Sequence, residues 1–417
     1  MARFKRRFTL VHEKATAQRQ LRESLPYWQT TPRITVRTKQ ALSKRHYDVV
    51  IVGAGISGAL VAQALANGKR SIVIIDRRAP VLGSSMASTA MIQHEIDVPL
   101  FKLKKFLNKE AAERIWLRSA QSVKSLMSMV HEHSISCHLQ PKKALYLAGD
   151  EHGMRALASE AEARNAIGIG ATFLDNQQLK EQYRIDRTGA IVSEVSASAN
   201  PAQLTAGILR LSIKNGVEIV QNTEISDFVS LLDKVALSTS SGAIIIASSV
   251  IFCTGYEFLT VVANKNHQIM STWALASTKN VQLPTWVANH LVWEASDPYL
   301  YFRTAEYGRL IAGGEDEASE DAYLDKQKLV KKSNKIAQKV KSLLGCEVGE
   351  PEYRWAAAFG STRFGIPMIG SVPGHPNVYA AMGYGGNGIT FSKIAAEILS
   401  AQIDGRPDRD ADLFPFR

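Results

Sequence analysis

Three glycines, in the run Gly53-Ala54-Gly55-Ile56-Ser57-Gly58, stand between an apolar stretch, Tyr47 to Val52, and a helical pattern, Ala59 to Asn67. The next apolar stretch, Ser71 to Ile75, ends on Asp76. Strand, turn, helix, strand and a terminal acid within about 30 residues is the layout of a dinucleotide-binding unit. Each part has a physical task. Gly53 permits the tight turn, Gly55 lets the backbone approach a pyrophosphate, and Gly58 lets helix and strand pack closely. Ile56 and Ser57 open the helix, whose N-terminus offers unpaired N–H groups and the positive end of a dipole. Asp76 is placed to accept hydrogen bonds from ribose hydroxyls. Arg77 and Arg78 follow it, and Arg77 is a candidate cofactor contact, but the acid at the strand end would repel a 2′-phosphate. These residues predict a site for an adenine dinucleotide.

Three further blocks lie downstream. After Arg77 comes a loop of small and hydroxyl-bearing residues, Gly83, Ser84, Ser85, Ser88 and Thr89, which can wrap a large cofactor and donate to its phosphates. Ile244 to Phe252 reads as a buried strand running into Cys253-Thr254-Gly255. Near the C-terminus, Val378 to Met382 leads into Gly383-Tyr384-Gly385-Gly386-Asn387-Gly388-Ile389-Thr390 and then a helix, Ser392 to Ile403. That loop has phosphate-loop spacing, yet no partner acid follows it. It is read as backbone N–H groups and a helix N-terminus aimed at an electron-rich ring system.

Together with Trp355 and Gly365-Ile366-Pro367-Met368-Ile369-Gly370, these blocks resemble the D-amino-acid oxidase superfamily of FAD-dependent oxidoreductases, from Tyr47 to the end of the chain. The resemblance implies an FAD cofactor, with the C-terminal loop against the flavin pyrimidine edge, where a helix dipole stabilises the reduced ring. Relatives that tether FAD use a His near the Gly83-Ser-Ser loop or a Cys just after the position of Trp355. This chain has Ser84, Ser85 and Ala356 to Ala358 there, so a noncovalent flavin is expected.

The resemblance also bears on substrate. Relatives that oxidise small amino acids bind the carboxylate with an Arg where this chain has Phe359. Glycine-oxidising ones carry another Arg where it has Gly386, and an acid before the Gly-x-Pro turn is replaced by Phe364. An anion-pairing fork has given way to apolar surface. Arg303, in Tyr299-Leu300-Tyr301-Phe302-Arg303, could supply the missing charge, or could pair with Asp316 or Glu315. The pattern is nearer to gamma-glutamylputrescine oxidase-like amine oxidases than to glycine or D-amino-acid oxidases. The expected reaction is oxidation of the C–N bond of an amine or amino-acid derivative by hydride transfer to flavin N5, with oxygen or a carrier taking the electrons. Gln93, Tyr301 and Arg303 are the candidate catalytic residues, with Trp355 and Phe359 lining the pocket. One alternative is a 2-hydroxy-acid dehydrogenase with His94 as base. Another is an arm-driven nucleic-acid or membrane-binding protein built on a vestigial flavin fold.

Positioning these residues takes an α/β fold. A discontinuous Rossmann-like FAD-binding domain is expected from residues 47–98, 190–260 and 352–417. An α+β substrate domain with an antiparallel sheet is expected from 99–189 and 261–351. Asn200-Pro201 reads as a helix N-cap and first turn, with Gly216 ending the helix. Residues 1–46 form a basic arm, twelve Lys/Arg against Glu13 and Glu23, which accounts for +10 of the chain's +11. With the body almost neutral, nucleic acid is not an expected partner. The arm either wraps the body through Tyr27, Trp28 and Ile34 or makes a peripheral membrane contact, and Arg6-Arg7 is a weak twin-arginine motif. Cys137, Cys253 and Cys346 are too few for a disulfide framework, so a reducing, cytoplasmic setting is expected. No run approaches the ~18 apolar residues of a membrane span. His131, His133, Cys137 and His138 lack tetrahedral metal-site spacing, so no metal is expected.

Overall fold

The computed structural model describes residues 14–262 and 267–416; Arg6-Arg7 and the other arm residues before Lys14 lie outside them. Two sheets organise the chain. The eight-stranded sheet has a parallel centre in the order Val378–Met382, Ile244–Phe252, His46–Val52, Ile72–Ile75, Glu218–Val220. Its strands are nearly continuous apolar runs because both faces are covered. Val49 and Ile51 pack with the helices Ile56–Leu65, Pro201–Lys214 and Gly388–Ile403, while Val50 and Val52 pack toward Ile225–Ser230 and Val235–Thr239 on the other side. The Asn200 side chain caps the second of these helices by accepting from the Gln203 N–H, with Pro201 following. Gly216, at φ +92°, closes the turn beyond it.

The ten-stranded sheet runs Arg22–Glu23, Tyr353–Thr362, His267–Ala276, Arg309–Glu317, Leu300–Ala305, His290–Glu294, Gln140–Leu147, Gly189–Ser198, Met91–Gln93, with Ala171–Asp175 also paired to Gly189–Ser198. It is antiparallel except where His290–Glu294 lies parallel to Gln140–Leu147. The helix Lys326–Leu344 covers it with Leu329, Ile336 and Val340. The lysines of this helix reach acids on the sheet: Lys335 and Lys339 pair with the buried Glu315.

Three strands from the segments expected in the FAD-binding unit, Met91–Gln93, Gly189–Ser198 (all but Gly189, expected in the substrate domain) and Tyr353–Thr362, pair within the larger sheet. Alternation along a strand reports burial, and a buried strand reads the same whichever sheet it joins. The arm is also not a separate tract over its described length. Arg22–Glu23 pairs with Ala356 and Ala357, Trp28 is fully buried, and Ile34 packs against the core. No helix among the described residues is long and apolar enough to cross a membrane.

Candidate active site

A cavity of about 470 Å³ runs between the two sheets. At one end lie Gly53, Gly55, Ile56, Ser57 and Asp76. Gly53 holds φ +115°, and a Cβ there would run into the Cys253 carbonyl; a Cβ on Gly58 would overlap the Gly53 carbonyl oxygen. Gly53 therefore permits the close approach of the turn to the end of the strand Ile244–Phe252, Gly58 sets the strand–helix distance, and Gly58 lies behind the cavity wall. Gly55 faces the cavity, with a hypothetical Cβ 3.1 Å from Ser85 Oγ. Ser85 Oγ accepts from the Ile56 N–H at 2.8 Å, and Ser57 Oγ bonds Ser392 Oγ at 2.7 Å, joining the first turns of the helices Ile56–Leu65 and Gly388–Ile403, both of which meet the cavity. Asp76 accepts from the N–H groups of Ala54 (2.7 Å) and Arg78 (2.8 Å). Burial pushes its carboxyl upward and those two donors oppose the shift.

Ser84, Ser88, Thr89, Gly255, Gly385, Gly386, Asn387, Gly388 and Ile389 also line the cavity. Ser84 Oγ is buried without a partner, a donor left for something in the cavity. A glycine turn at Gly55, a helix N-terminus and a free hydroxyl suit a pyrophosphate, so these residues fit a dinucleotide. Two expected contacts are spent internally. Thr390 Oγ1 donates to the Gln93 carbonyl (2.9 Å), and Arg77 is held by Glu257 and the Arg19 carbonyl.

The other end gathers most of the cavity's phenols and two buried acids. Asp97, Tyr256, Met270, Thr272, Tyr299, Tyr301, Asp316, Phe359 and Ser361 gather there with Gln93, whose Oε1 has no partner. Asp97 accepts from the Gly386 N–H (3.1 Å) and Asn387 Nδ2 (3.3 Å), so the negative group at this end of the C-terminal loop is a side chain of the protein. Burial pushes Asp97 upward, against the Gly386 donor. The Asp316 carboxyl is pushed up to about 6, chiefly by burial. Neither of its oxygens has a well-formed hydrogen bond, although the Thr272 and Tyr299 hydroxyls lie near enough to favour its charge. Burial also raises Tyr256, Tyr299 and Tyr301, keeping all three phenols protonated at neutral pH.

Three sequence candidates are not part of this wall. Arg303 is buried, and its guanidinium donates to the carbonyls of Thr89 (2.6 and 2.9 Å), Ala199 (2.7 Å) and Thr304 (3.0 Å), 5.0 Å from the Trp28 ring. It pairs with neither Asp316 nor Glu315, four of its five N–H groups are spent on these carbonyls, and it does not line the cavity where a substrate carboxylate would sit. Burial lowers it to about 10. Arg303→Met should therefore destabilise the fold by about 2 kcal/mol, through stranded carbonyls, and leave substrate KM unchanged; urea unfolding beside steady-state kinetics checks both. His94 is also buried off the cavity: its Nδ1 meets the Val195 carbonyl (2.9 Å), and burial holds it neutral, so it is not placed to act as the base of a hydroxy-acid dehydrogenase. Trp355 is likewise behind the wall, donating Nε1–H to the Ala87 carbonyl (2.8 Å).

Sequence reasoning missed Asp97, Asp316, Tyr256 and Tyr299. Tyr256 follows Gly255 directly, and Asp97 ends the acidic pair of Glu95-Ile96-Asp97, so both had a local signal. Asp316, in Gly313-Gly314-Glu315-Asp316-Glu317, reads as a solvated strand end, and only the sheet brings it opposite Asp97.

Comparison with known proteins agrees with this architecture. The family profile described as DAO, FAD dependent oxidoreductase, matches residues 48–402. Among curated proteins, the probable oxidoreductase OrdL of Haemophilus influenzae is 21% identical over 87% of this chain and 84% of its own length. The gamma-glutamylputrescine oxidoreductase of Escherichia coli is 20% identical over the same shares. Among solved structures, glycine oxidase from Geobacillus kaustophilus superposes with a TM-score of 0.75 at 19% identity, covering 90% of this chain and 99% of its own. An L-amino acid deaminase from Proteus vulgaris gives 0.73 at 18%, covering 93% and 98%. With most of its length matched by the profile, and with the glycine cradle, strand-end acid and two-sheet cavity in place, the chain belongs to the DAO family of FAD-dependent oxidoreductases.

Proposed function

We propose that this enzyme oxidises the C–N bond of a cationic amine, in preference to small amino acids. The observation that carries the reading is the charge of the cavity. Its wall includes Asp97, Asp316, Glu151, Glu294 and Asp297 away from the nucleotide end. Among the described residues, the only Lys or Arg side chains on the wall are Arg77 and Arg78, both bound to Glu257. A substrate carboxylate would enter without an ionic partner, at a cost of several kcal/mol. An ammonium group is attracted by the same wall. The name of the Escherichia coli relative, an enzyme of an amine, supports this reading, as do Phe359 and Gly386 at the positions of the absent arginines.

Bound FAD supplies a two-electron acceptor for the α-hydrogen and its electron pair. This chain's residues do the rest. Asp97 holds the incoming ammonium and, with its carboxyl raised by burial, can take the proton whose loss frees the nitrogen lone pair. Gln93 Oε1 accepts from the remaining N–H. The protonated Tyr256, Tyr299 and Tyr301 close the pocket to water, and Phe359 and Met270 hold the substrate's alkyl chain. The FAD is taken to be noncovalent, from Ser84, Ser85 and Ala356 to Ala358. Acid precipitation should then leave the flavin in the supernatant, and yellow colour retained in the pellet would refute the point.

The test is anaerobic flavin bleaching with a diamine panel and with glycine, sarcosine and D-alanine. Diamines should reduce the flavin faster. Asp97→Asn should raise their apparent dissociation constant by about tenfold to a hundredfold, the loss of one charge-assisted contact. Faster reduction by a small amino acid, unaffected by Asp97→Asn, would sink the reading.

A further inference from the structure

The segment before the family match, Ala15 to Glu23, crosses the nucleotide end of the cavity and is fastened to both sheets. On the side of the parallel sheet, the Ala15 N–H donates to the Ser226 carbonyl (2.9 Å), the Ala17 N–H to the Phe258 carbonyl (2.8 Å), and the Gln18 side chain to Glu224. On the other side, Ala358 N–H donates to the Leu21 carbonyl (3.1 Å), Tyr323 Oη to the Gln20 carbonyl, and Arg22–Glu23 adds an edge strand to Tyr353–Thr362. Between these anchors, Thr16, Gln18 and Leu21 line the same cavity as Asp76, Thr223 and Glu224. Glu257 joins the parts. It accepts from the Arg19 N–H (3.0 Å) and pairs with Arg77 and Arg78, and these two arginines also donate to the Arg19 carbonyl at 2.9 and 3.0 Å.

We propose that Ala15–Glu23 is a strap completing the FAD site, with Thr16, Gln18 and Leu21 as cofactor-contacting residues beside the adenosine half and Glu257 as its clasp. This rests on Asp76 marking the ribose end of the cavity. It explains why the two arginines after the strand-end acid, which a sequence reading offers to a phosphate, are turned onto Glu257 and the strap. It also assigns a task to the first fasteners of a segment that the family match leaves out. FAD must be seated before the strap is fastened, and its departure requires the Glu257 clasp or an anchor to open. Strap and cofactor therefore stabilise each other by linkage.

The experiment follows FAD release from the full-length holoenzyme, by the rise of free-flavin fluorescence after dilution. It is run in wild type, Glu257→Gln and Tyr323→Phe. Glu257→Gln should speed release by about tenfold or more. Tyr323 does not line the cavity, so a severalfold faster release in Tyr323→Phe can only pass through the strap. In wild type, trypsin cleavage after Arg19 and Arg22 should accelerate on removal of FAD, relative to cleavage after Lys234 in an exposed turn. Wild-type release rates in both variants, or cleavage at Arg19 and Arg22 insensitive to FAD, would overturn the strap. A wild-type protein purified without FAD would instead overturn the cofactor assignment beneath it.

Discussion

Gly58→Val should give a protein that purifies without flavin. A Cβ at this position overlaps the Gly53 carbonyl oxygen and crowds Ile51, so the helix Ile56–Leu65 must move off the strand His46–Val52. That shift opens the turn from which Gly55 and the helix N-terminus face the cavity. It also disturbs the packing of this helix against Pro201–Lys214 and Gly388–Ile403, since all three share one core. Overpacking of a tight core costs roughly 1–3 kcal/mol, and a forced backbone separation lies at or beyond the upper end. The effect is read as the flavin-to-protein absorbance ratio together with the thermal midpoint. Gly170→Ala is the control, because its Cβ would meet nothing within 4 Å, and it should retain full flavin. A yellow Gly58→Val protein with an unchanged midpoint would mean that the close approach of strand and helix is not what holds the cofactor turn.

The second large effect concerns Asp316. Its carboxyl stands at about 6 against an ordinary 3.8, chiefly because burial disfavours its charge. A raised acid binds its proton more tightly in the folded state, so its contribution to stability is fully present below about pH 4 and is lost as the pH rises through about 6. Above that, the folded protein carries a buried charge without a well-formed hydrogen bond, a cost of up to about 3 kcal/mol. Asp316→Asn should therefore be more stable than wild type at pH 7.5 by up to about 3 kcal/mol, and its advantage should disappear near pH 4. Urea unfolding of the two apoproteins at both pH values decides it. Equal stability at pH 7.5 would mean that the Thr272 and Tyr299 hydroxyls already satisfy the carboxylate. The same substitution should weaken amine binding, because it removes one of the acids on the cavity wall away from the nucleotide end. Stability stored as an unpaired buried charge is a common cost of a functional site.

The arm shows where sequence reasoning stops short. Tyr27, Trp28 and Ile34 offered a segment that wraps the body, as one of two readings, and the structure buries Trp28 with its Nε1–H on the Ser88 carbonyl. That Thr16 and Gln18 reach the cofactor cavity had no local signal. Both are ordinary polar residues in an irregular stretch, and their role depends on Glu257, some 240 positions away along the chain. Arg303 failed in the opposite direction. A lone arginine in an apolar strand looks like a ligand-binding charge, and four of its five N–H groups are instead claimed by the carbonyls of Thr89, Ala199 and the adjacent Thr304.

The sequence by itself determined the dinucleotide unit, because the tasks of Gly53, Gly55, Gly58 and Asp76 are local: a turn, a close approach and a strand end all lie within one strand–helix–strand unit. It also determined the cap at Asn200, since capping chemistry is written in neighbouring positions. Only the tertiary structure decided which sheet received Gly189–Ser198 and Tyr353–Thr362, and which acids met in the cavity. Strand partners and the convergence of Asp97 with Asp316 are long-range choices, settled by which apolar faces can be buried together. The electrostatic character of the pocket follows from those choices, because a carboxylate acquires its affinity for protons and for amines from surroundings supplied by distant parts of the chain.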